Sequence, residues 1–281
     1  MGKVKKYALL TIEYVFLSIV AFVSIFPFVW MLISTTNYSS DVIRNKLTLG
    51  SALADNLNGL LQPDKYFITG LVNTSIVAII TTVLALLVCS LAGYGFVIYR
   101  NRIRDNLFKA LMLTMMIPFS SIMVPLYRMF AQMSNIPGFK LIGMNTLGAM
   151  IAPSISSAFL IFFFRQNTKS FSREMIEAAR IDGLSEVGIF FRIFFPVMRP
   201  TFAAATIMTF ITSWNSYLWP LLVAQSENVR VLSMVLSSLG QSYTADYGIL
   251  MTAIVIATLP SALIYFLMQK QFVEGMTGAV K

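Results

Sequence analysis

Six stretches of this chain are long enough to cross a bilayer and hold no Asp, Glu, Lys or Arg: Tyr14–Ile33, Tyr66–Tyr99, Ala110–Tyr127, Leu141–Phe164, Pro200–Ser226 and Tyr247–Gln269. A spanning helix needs about 20 mostly apolar residues. Hydrocarbon tolerates only backbone whose polar groups pair internally. Together these facts point to an all-α integral membrane protein with six transmembrane helices. The second window exceeds one span, so its helix is expected to start past Gly70 or to tilt. The third holds Pro118 and Pro125 and is expected to kink inside a bundle. Val231–Ala245 is also charge-free, but it is short and carries Gly240 and several serines. It reads as an outer loop with a short helix.

Charge then sets orientation. Only 12% of the residues are charged, against about 25% in soluble domains. The net charge of +9 fits a cytoplasmic membrane face better than a nucleic-acid partner, because Lys and Arg accumulate in inside loops. With the N-terminus inside, 15 of the 21 Lys and Arg fall in inside segments and 6 outside. Both termini are therefore expected in the cytoplasm. The opening MGKVKK leads into an apolar run with no A-x-A-like cleavage site, which reads as an uncleaved span. The expected organisation is an extra helix over 1–34, an extracytoplasmic capping loop over 35–65, a five-helix core over 66–270 and a cytoplasmic tail over 271–281. A cytoplasmic loop at about 166–199 interrupts the core.

Several chemistries are disfavoured. There is no histidine, and the single cysteine, Cys89, lies in an apolar run. No catalytic, cofactor-binding or metal-ligating residue is expected. The pattern G-x-x-x-x-G-K-[ST] is absent, so this chain is not expected to bind ATP through a phosphate loop. The middle windows hold no ionisable residue, where a proton-coupled carrier would need one. They do hold small and weakly polar residues, among them Asn73, Thr74, Ser75, Thr81, Thr82, Ser90, Gly93, Gly95, Ser154, Ser156, Ser157, Thr206, Thr209, Thr212 and Ser213. Close helix packing is the leading reading of these, and lining a polar path is the other. Trp214, Asn215, Tyr217 and Trp219 cluster in the fifth window. Such a cluster suits a sugar, and it equally suits an aromatic belt or packing.

The most polar interruption is REMIEAARIDGLSEVGIFFRIFFPVMRP, Arg173–Pro200. Ser172 is placed to cap a helix from Arg173 to Asp182, and Glu174 suits the positive end of its dipole. Gly183 can take the left-handed conformation that ends a helix. Ser185 and Glu186 open a second helix, and Pro196 and Pro200 mark re-entry into the fifth span. Ala178 and Ala179 read as a small face, flanked by Glu177 and Arg180, that a partner can approach closely. Phe190, Phe191, Phe194 and Phe195 are expected against the bundle or the membrane interface. A solvated connector and a docking surface both fit these features.

EAARIDGLSEVGIFFRIFFPVMRP also resembles the EAA loop of ABC-importer permeases, E-A-A-x-x-D-G followed by a spacer, a hydrophobic residue and L-P. Glu177, Ala178, Ala179, Asp182, Gly183 and Pro196 match; Phe195 stands where Leu is usual and Leu184 where Ala is common. NTLGAMIAPSISSAFLIFFFRQ resembles the segment leading into that loop. FITSWNSYLWPLLV resembles the W-N-acidic-Phe run of carbohydrate permeases, with Ser216 and Tyr217 departing from it. The ending FVEGMTGAVK is similar to the tail of the maltose-type permease of the G kind.

This resemblance implies the type I importer permease architecture in a bacterial inner membrane. The chain would be one subunit of an ATP-driven sugar or oligosaccharide importer and form half of the pathway. Its implied partners are a second, homologous permease in a heterodimer, two ATP-binding cassette subunits and an extracytoplasmic solute-binding protein. Membrane lipid surrounds it, and no nucleic acid is involved. Glu177, Ala178, Ala179, Arg180, Asp182, Gly183 and Pro196 would couple to an ATPase. Glu274, Gly275 and Thr277 would reach between the ATPases. Trp214, Asn215, Tyr217 and Asn73 are the candidates for the solute path. In maltose-type systems one permease can hold the solute while its partner does not. Two alternatives stand: an importer of another small solute, glycerol phosphate-like or an amino acid, and a stand-alone channel or secondary carrier.

Overall fold

The computed structural model describes residues 3–276, and those residues form helices joined by turns and loops. In chain order the α-helices are α1 Lys3–Thr35, α2 Ser39–Ile43, α3 Leu53–Leu60, α4 Phe67–Ile98, α5 Arg102–Thr114, α6 Phe119–Met133, α7 Leu147–Ile151 and α8 Ala158–Thr168. Then follow α9 Arg173–Ile181, α10 Glu186–Ile189, α11 Phe195–Val197, α12 Arg199–Trp214, α13 Leu218–Val223, α14 Leu232–Gln241 and α15 Tyr247–Met276. Among the described residues, three helices are long and apolar enough to cross a membrane: Leu9–Thr35, Phe67–Ile98 and Tyr247–Phe272. The number rises to six if each of three bent pairs is one span.

Those bends refine the reading from hydropathy. The third window is a break rather than a kink. Its two helices meet at 100°, and Pro118 sits at the N-cap of α6 instead of inside a helix. A proline at a helix start loses nothing, because its missing N–H would have no partner there. The fourth window bends by 42° between Leu147–Ser154 and Ala158–Thr168. The fifth ends its first helix at Trp214 and resumes at Leu218. The second starts at Phe67 rather than past Gly70, just after Tyr66 turns left-handed at φ 52°.

The contacts divide the chain into two compact units, Met1–Phe67 with Leu236–Thr258, and Ile68–Val235 with Leu259–Lys281. In the first unit, the segment after α1 is folded by amide hydrogen bonds. Asn56 Nδ2 donates to the carbonyls of Thr35 at 2.8 Å and Asn37 at 3.0 Å. Asn37 Nδ2 donates to those of Ile33 and Thr48, both at 3.0 Å. Two side chains thereby pair with four carbonyls, of which the Ile33 carbonyl also accepts from the Thr36 N–H at 3.0 Å. Ser39 Oγ accepts from the Tyr247 N–H at 3.0 Å. By contrast, α1 leaves its apolar residues exposed along most of its length, as a helix facing lipid or a partner does.

The second unit carries an aromatic core. Tyr94 of α4, Phe164 of α8, Phe171, Phe190, Phe194 and Phe202 of α12 are buried together. Ring centroids lie 4.9 Å apart for Tyr94–Phe194 and for Phe164–Phe202, and 5.3 Å for Phe171–Phe194. α4 and α8 come close at Gly93, where an added Cβ would sit 2.6 Å from Phe164 Cβ and 2.8 Å from the Arg165 nitrogen. Only glycine permits that approach.

Candidate functional site

The polar loop is built from the residue level upward as a helix, a left-handed turn and a second helix. Ser172 takes the N-cap position of α9, but its hydroxyl donates to Glu174 Oε2 at 2.5 Å and does not cap an N–H. That hydrogen bond holds the Glu174 carboxyl below the usual carboxylate range. At the other end Gly183 has φ +79°. The Gly183 N–H bonds the Arg180 carbonyl at 3.1 Å, and the Leu184 N–H bonds the Ala179 carbonyl at 3.0 Å. This paired closure leaves few carbonyls orphaned, and it needs a left-handed residue at 183. Ser185 then caps α10, its hydroxyl accepting from the Gly188 N–H at 3.2 Å.

Two faces of α9 differ. Ile176 and Ala179, three residues apart, are 1% and 3% exposed and join the aromatic core with Leu184. Met175, Glu177, Ala178 and Ile181 are exposed. This corrects the expected small face: Ala178 points outward, whereas Ala179 is packed inward and is not open to a partner. The second helix is likewise split. Phe190 and Phe194 are buried, whereas Phe191 and Phe195 are exposed. Between Phe190 and Phe194 the backbone is wound as a π-helix. Pro196 has no N–H for the carbonyl four residues back, and the wider winding stands directly before it. At Met198 the chain turns by 83° into α12.

Arg180 pairs within the chain. Its Nε donates to Glu186 Oε1 at 2.8 Å, and the Tyr99 hydroxyl donates to Glu186 Oε2. Arg180 and then Tyr99 hold the Glu186 carboxyl below its ordinary value. Burial and the neighbouring Glu186 push the Tyr99 phenol up. Arg173 Nη2 donates to the Val97 carbonyl in the last turn of α4 at 3.2 Å, where the helix dipole favours a cation. The loop is thus tied to the end of α4 by Arg173, Arg180 and Glu186. Tyr99 and Glu186 lie far apart in sequence, and no local pattern pairs them.

A cavity of about 600 Å³ lies within the second unit. Thr74, Val77, Thr81 and Ala85 line it from one face of α4, and Thr209, Thr212, Ser213 and Ser216 from the end of α12 and the turn beyond. Spacings of three and four put each set on one side of its helix. Ser154, Ser156 and Ser157 enter from the break before α8. Among the described lining residues none is charged.

Of the four residues expected on a solute path, Tyr217 alone lines this cavity. Trp214 is buried and stacks on Phe210, with centroids 5.5 Å apart at 19°. Asn215 caps α12, its amide donating to the Ile211 carbonyl at 3.0 Å. Asn73 Nδ2 donates to the carbonyls of Asn228 and Arg230, both at 2.9 Å. Its amide is occupied in holding that turn against α4. Trp219 is 6% exposed, and its indole N–H donates to the Ala149 carbonyl at 2.9 Å. It is a core residue at the cavity wall rather than a member of a surface belt. Glu274 and Gly275 fall in the last turn of α15, and the contact expected at Thr277 lies outside the described residues.

Residues 85–278 match the family described as binding-protein-dependent transport system inner membrane component. The lactose transport system permease protein LacG of Rhizobium radiobacter is 45% identical over 271 residues, 96% of each chain. The arabinooligosaccharides transport system permease protein AraQ of Halalkalibacterium halodurans is 34% identical, over 97% of this chain and 96% of that one. A crystal structure of a bacterial ABC transporter involved in alginate import holds a chain with TM-score 0.81 and 20% identity. The match covers 97% of this chain and 99% of that one. At that identity the likeness speaks for the fold.

Proposed function

Because this chain belongs to the binding-protein-dependent transport system inner membrane component family, we propose that it is the permease subunit of an ATP-driven importer of sugars or oligosaccharides. It is a multi-pass membrane protein. In this reading six spans cross the bacterial inner membrane, with both termini and the Arg173–Pro200 loop in the cytoplasm. A second, homologous permease completes the pathway, two ATP-binding cassette subunits dock beneath, and an extracytoplasmic protein delivers the solute. Glu274, Gly275 and Thr277 are the tail residues this reading assigns to contact with the ATPases.

One observation carries the docking claim. The outer face of α9, with Glu177, Ala178 and Ile181, is exposed, while its inner face is locked into the core formed by α4, α8 and α12. Ile181 is 87% exposed, an apolar side chain at the tip of a polar element, suited to a partner's cleft. A push on this face reaches three helices through packed rings rather than through a flexible linker. Closure of the ATPase dimer then moves α9 as a rigid body and alternates access to the pathway. The sugar assignment takes its direction from the lactose and arabinooligosaccharide permeases. The uncharged cavity supports it over a glycerol phosphate-like cargo, whose anion would call for Lys or Arg.

The test is Glu177→Lys in the reconstituted transporter. Uptake is expected to fall while the subunit still inserts in the membrane, either because the ATPases dissociate or because they hydrolyse ATP without transport. Normal uptake with normal coupling would sink the docking role.

A further inference from the structure

The importer reading leaves open which subunit holds the solute. We propose, resting on that reading, that this chain holds part of it: the cavity beside Thr81 is a contact site for a neutral sugar ring.

Thr81 is the first observation. The residue is 2% exposed, and its Oγ1 is buried without a hydrogen-bond partner among the described residues, yet it lines the cavity. A buried hydroxyl left unpaired is costly, and one on a residue that borders a cavity can gain its partner from what fills that cavity. Oγ1 has almost no open surface of its own, so a solute hydroxyl, which both donates and accepts, meets it once the Thr81 side chain rotates about χ1 toward the cavity. The other hydroxyls keep free capacity as well. Thr74 Oγ1 accepts from the Leu232 N–H at 2.7 Å and retains its own proton for a ligand. Thr212 Oγ1 donates to the Met208 carbonyl at 2.8 Å and retains its lone pairs.

Backbone geometry is the second, independent observation. Two interruptions border the same space, at 155–157 before α8 and at 215–217 after α12. Interrupted helices at membrane depth are tolerated where they line a cavity, and they recur at transport sites. The rim supplies the third. Phe119, Phe159 and Tyr217 are 42%, 49% and 36% exposed and line the cavity. Their faces suit the C–H side of a pyranose, while the hydroxyl floor suits its edge. The volume of about 600 Å³ falls within the roughly 300–1,000 Å³ of ligand sites. With no charged group on the described lining, uronates and sugar phosphates are poor ligands.

The experiment uses the whole transporter in proteoliposomes with its binding protein saturated. Neutral disaccharides, lactose included, and arabinooligosaccharides are offered in turn, and the two best-imported sugars serve as probes. Thr81→Val is expected to lower uptake per ATP hydrolysed by about fivefold, the scale of one lost hydrogen bond, and to change the ratio between the two sugars. Thr81→Ser should restore both. Thr82→Val is the control. Its Oγ1 is also buried and unpaired among the described residues, but Thr82 does not line the cavity, so uptake and ratio should stay as in the wild type. Wild-type behaviour of Thr81→Val, or an equal loss in both valine variants, would overturn the contact site and leave the importer standing. Failure of the wild type to import any neutral sugar would overturn the importer reading and the site with it.

Discussion

In the polar loop, the nine residues of α9 carry both faces of the element, one turned into an aromatic core and one left open. In the cavity, hydroxyls arrive from α4, from the break before α8 and from α12, segments that stand far apart in the chain. The loop is a contiguous device whose parts stand at fixed spacing. The cavity is assembled by folding from residues that are individually ordinary. The two regions should therefore fail differently. A defect in the loop scales the uptake of every sugar by one factor, because it acts on the drive. A defect in the cavity changes the ranking of sugars, because it acts on the cargo.

Phe194→Ala should have the largest effect on stability. Phe194 is fully buried and meets Tyr94, Phe171 and Phe190. Truncating such a ring costs about 3–5 kcal/mol, read as a lower Tm of the assembled transporter. Uptake of all sugars should fall together. A changed sugar ranking would break the separation between drive and cargo. Next comes Asn73→Ala, which strips a donor from two carbonyls at about 1–3 kcal/mol. Asn73 sits on α4 but not on the cavity wall, so Tm should fall while the ranking holds.

Gly183→Asp follows. Forcing a residue with a Cβ to φ +79° costs about 1–2 kcal/mol, a factor of roughly 5–30 in the population of the docked geometry. ATP hydrolysis without matching uptake, equal for each sugar, is the expected outcome. The smallest effect belongs to Glu186. Its carboxyl is held below the ordinary value by Arg180 and Tyr99, so its charged form is the one the fold favours. That contribution is present above the usual carboxylate range and is lost as pH falls through the depressed value. Coupling in the wild type should weaken on acidification in that window. Glu186→Gln should show the weaker coupling at neutral pH and lose this part of the pH dependence.

Legibility followed the same contrast. Helix-forming windows could be read from the absence of charge, and the loop from Glu177, Ala178, Ala179, Asp182 and Gly183 in one run. The inward turn of Ala179 was readable in principle, because Ile176 lies three residues before it on the same face. Helix breaks were harder. Pro118 announced one as a kink, but Asn215 and Ser216 interrupt α12 without Gly or Pro, and hydropathy does not register backbone geometry. The cavity was hardest. α4 spreads Asn73, Thr74, Ser75, Thr81, Thr82 and Ser90 around an otherwise apolar helix, so no polar stripe stands out. Thr81 at the cavity and Thr82 away from it are neighbours of the same type, separated only by the 100° step of the helix. The Arg180–Glu186–Tyr99 cluster requires contact between segments that no local periodicity relates.

Neighbouring alanines offer the most direct test of the docking element. Ala178 is exposed on the outer face of α9, and Ala179 is 3% exposed on the inner face. Each is replaced by cysteine in the full transporter, with single cysteines placed along the docking cleft of the ATPase subunits, and disulfide formation is measured with and without ATP. Ala178→Cys should crosslink to an ATPase subunit and Ala179→Cys should not. Crosslinking at both positions alike, or at neither, would contradict a loop that turns one face to the bundle and the other to the motor.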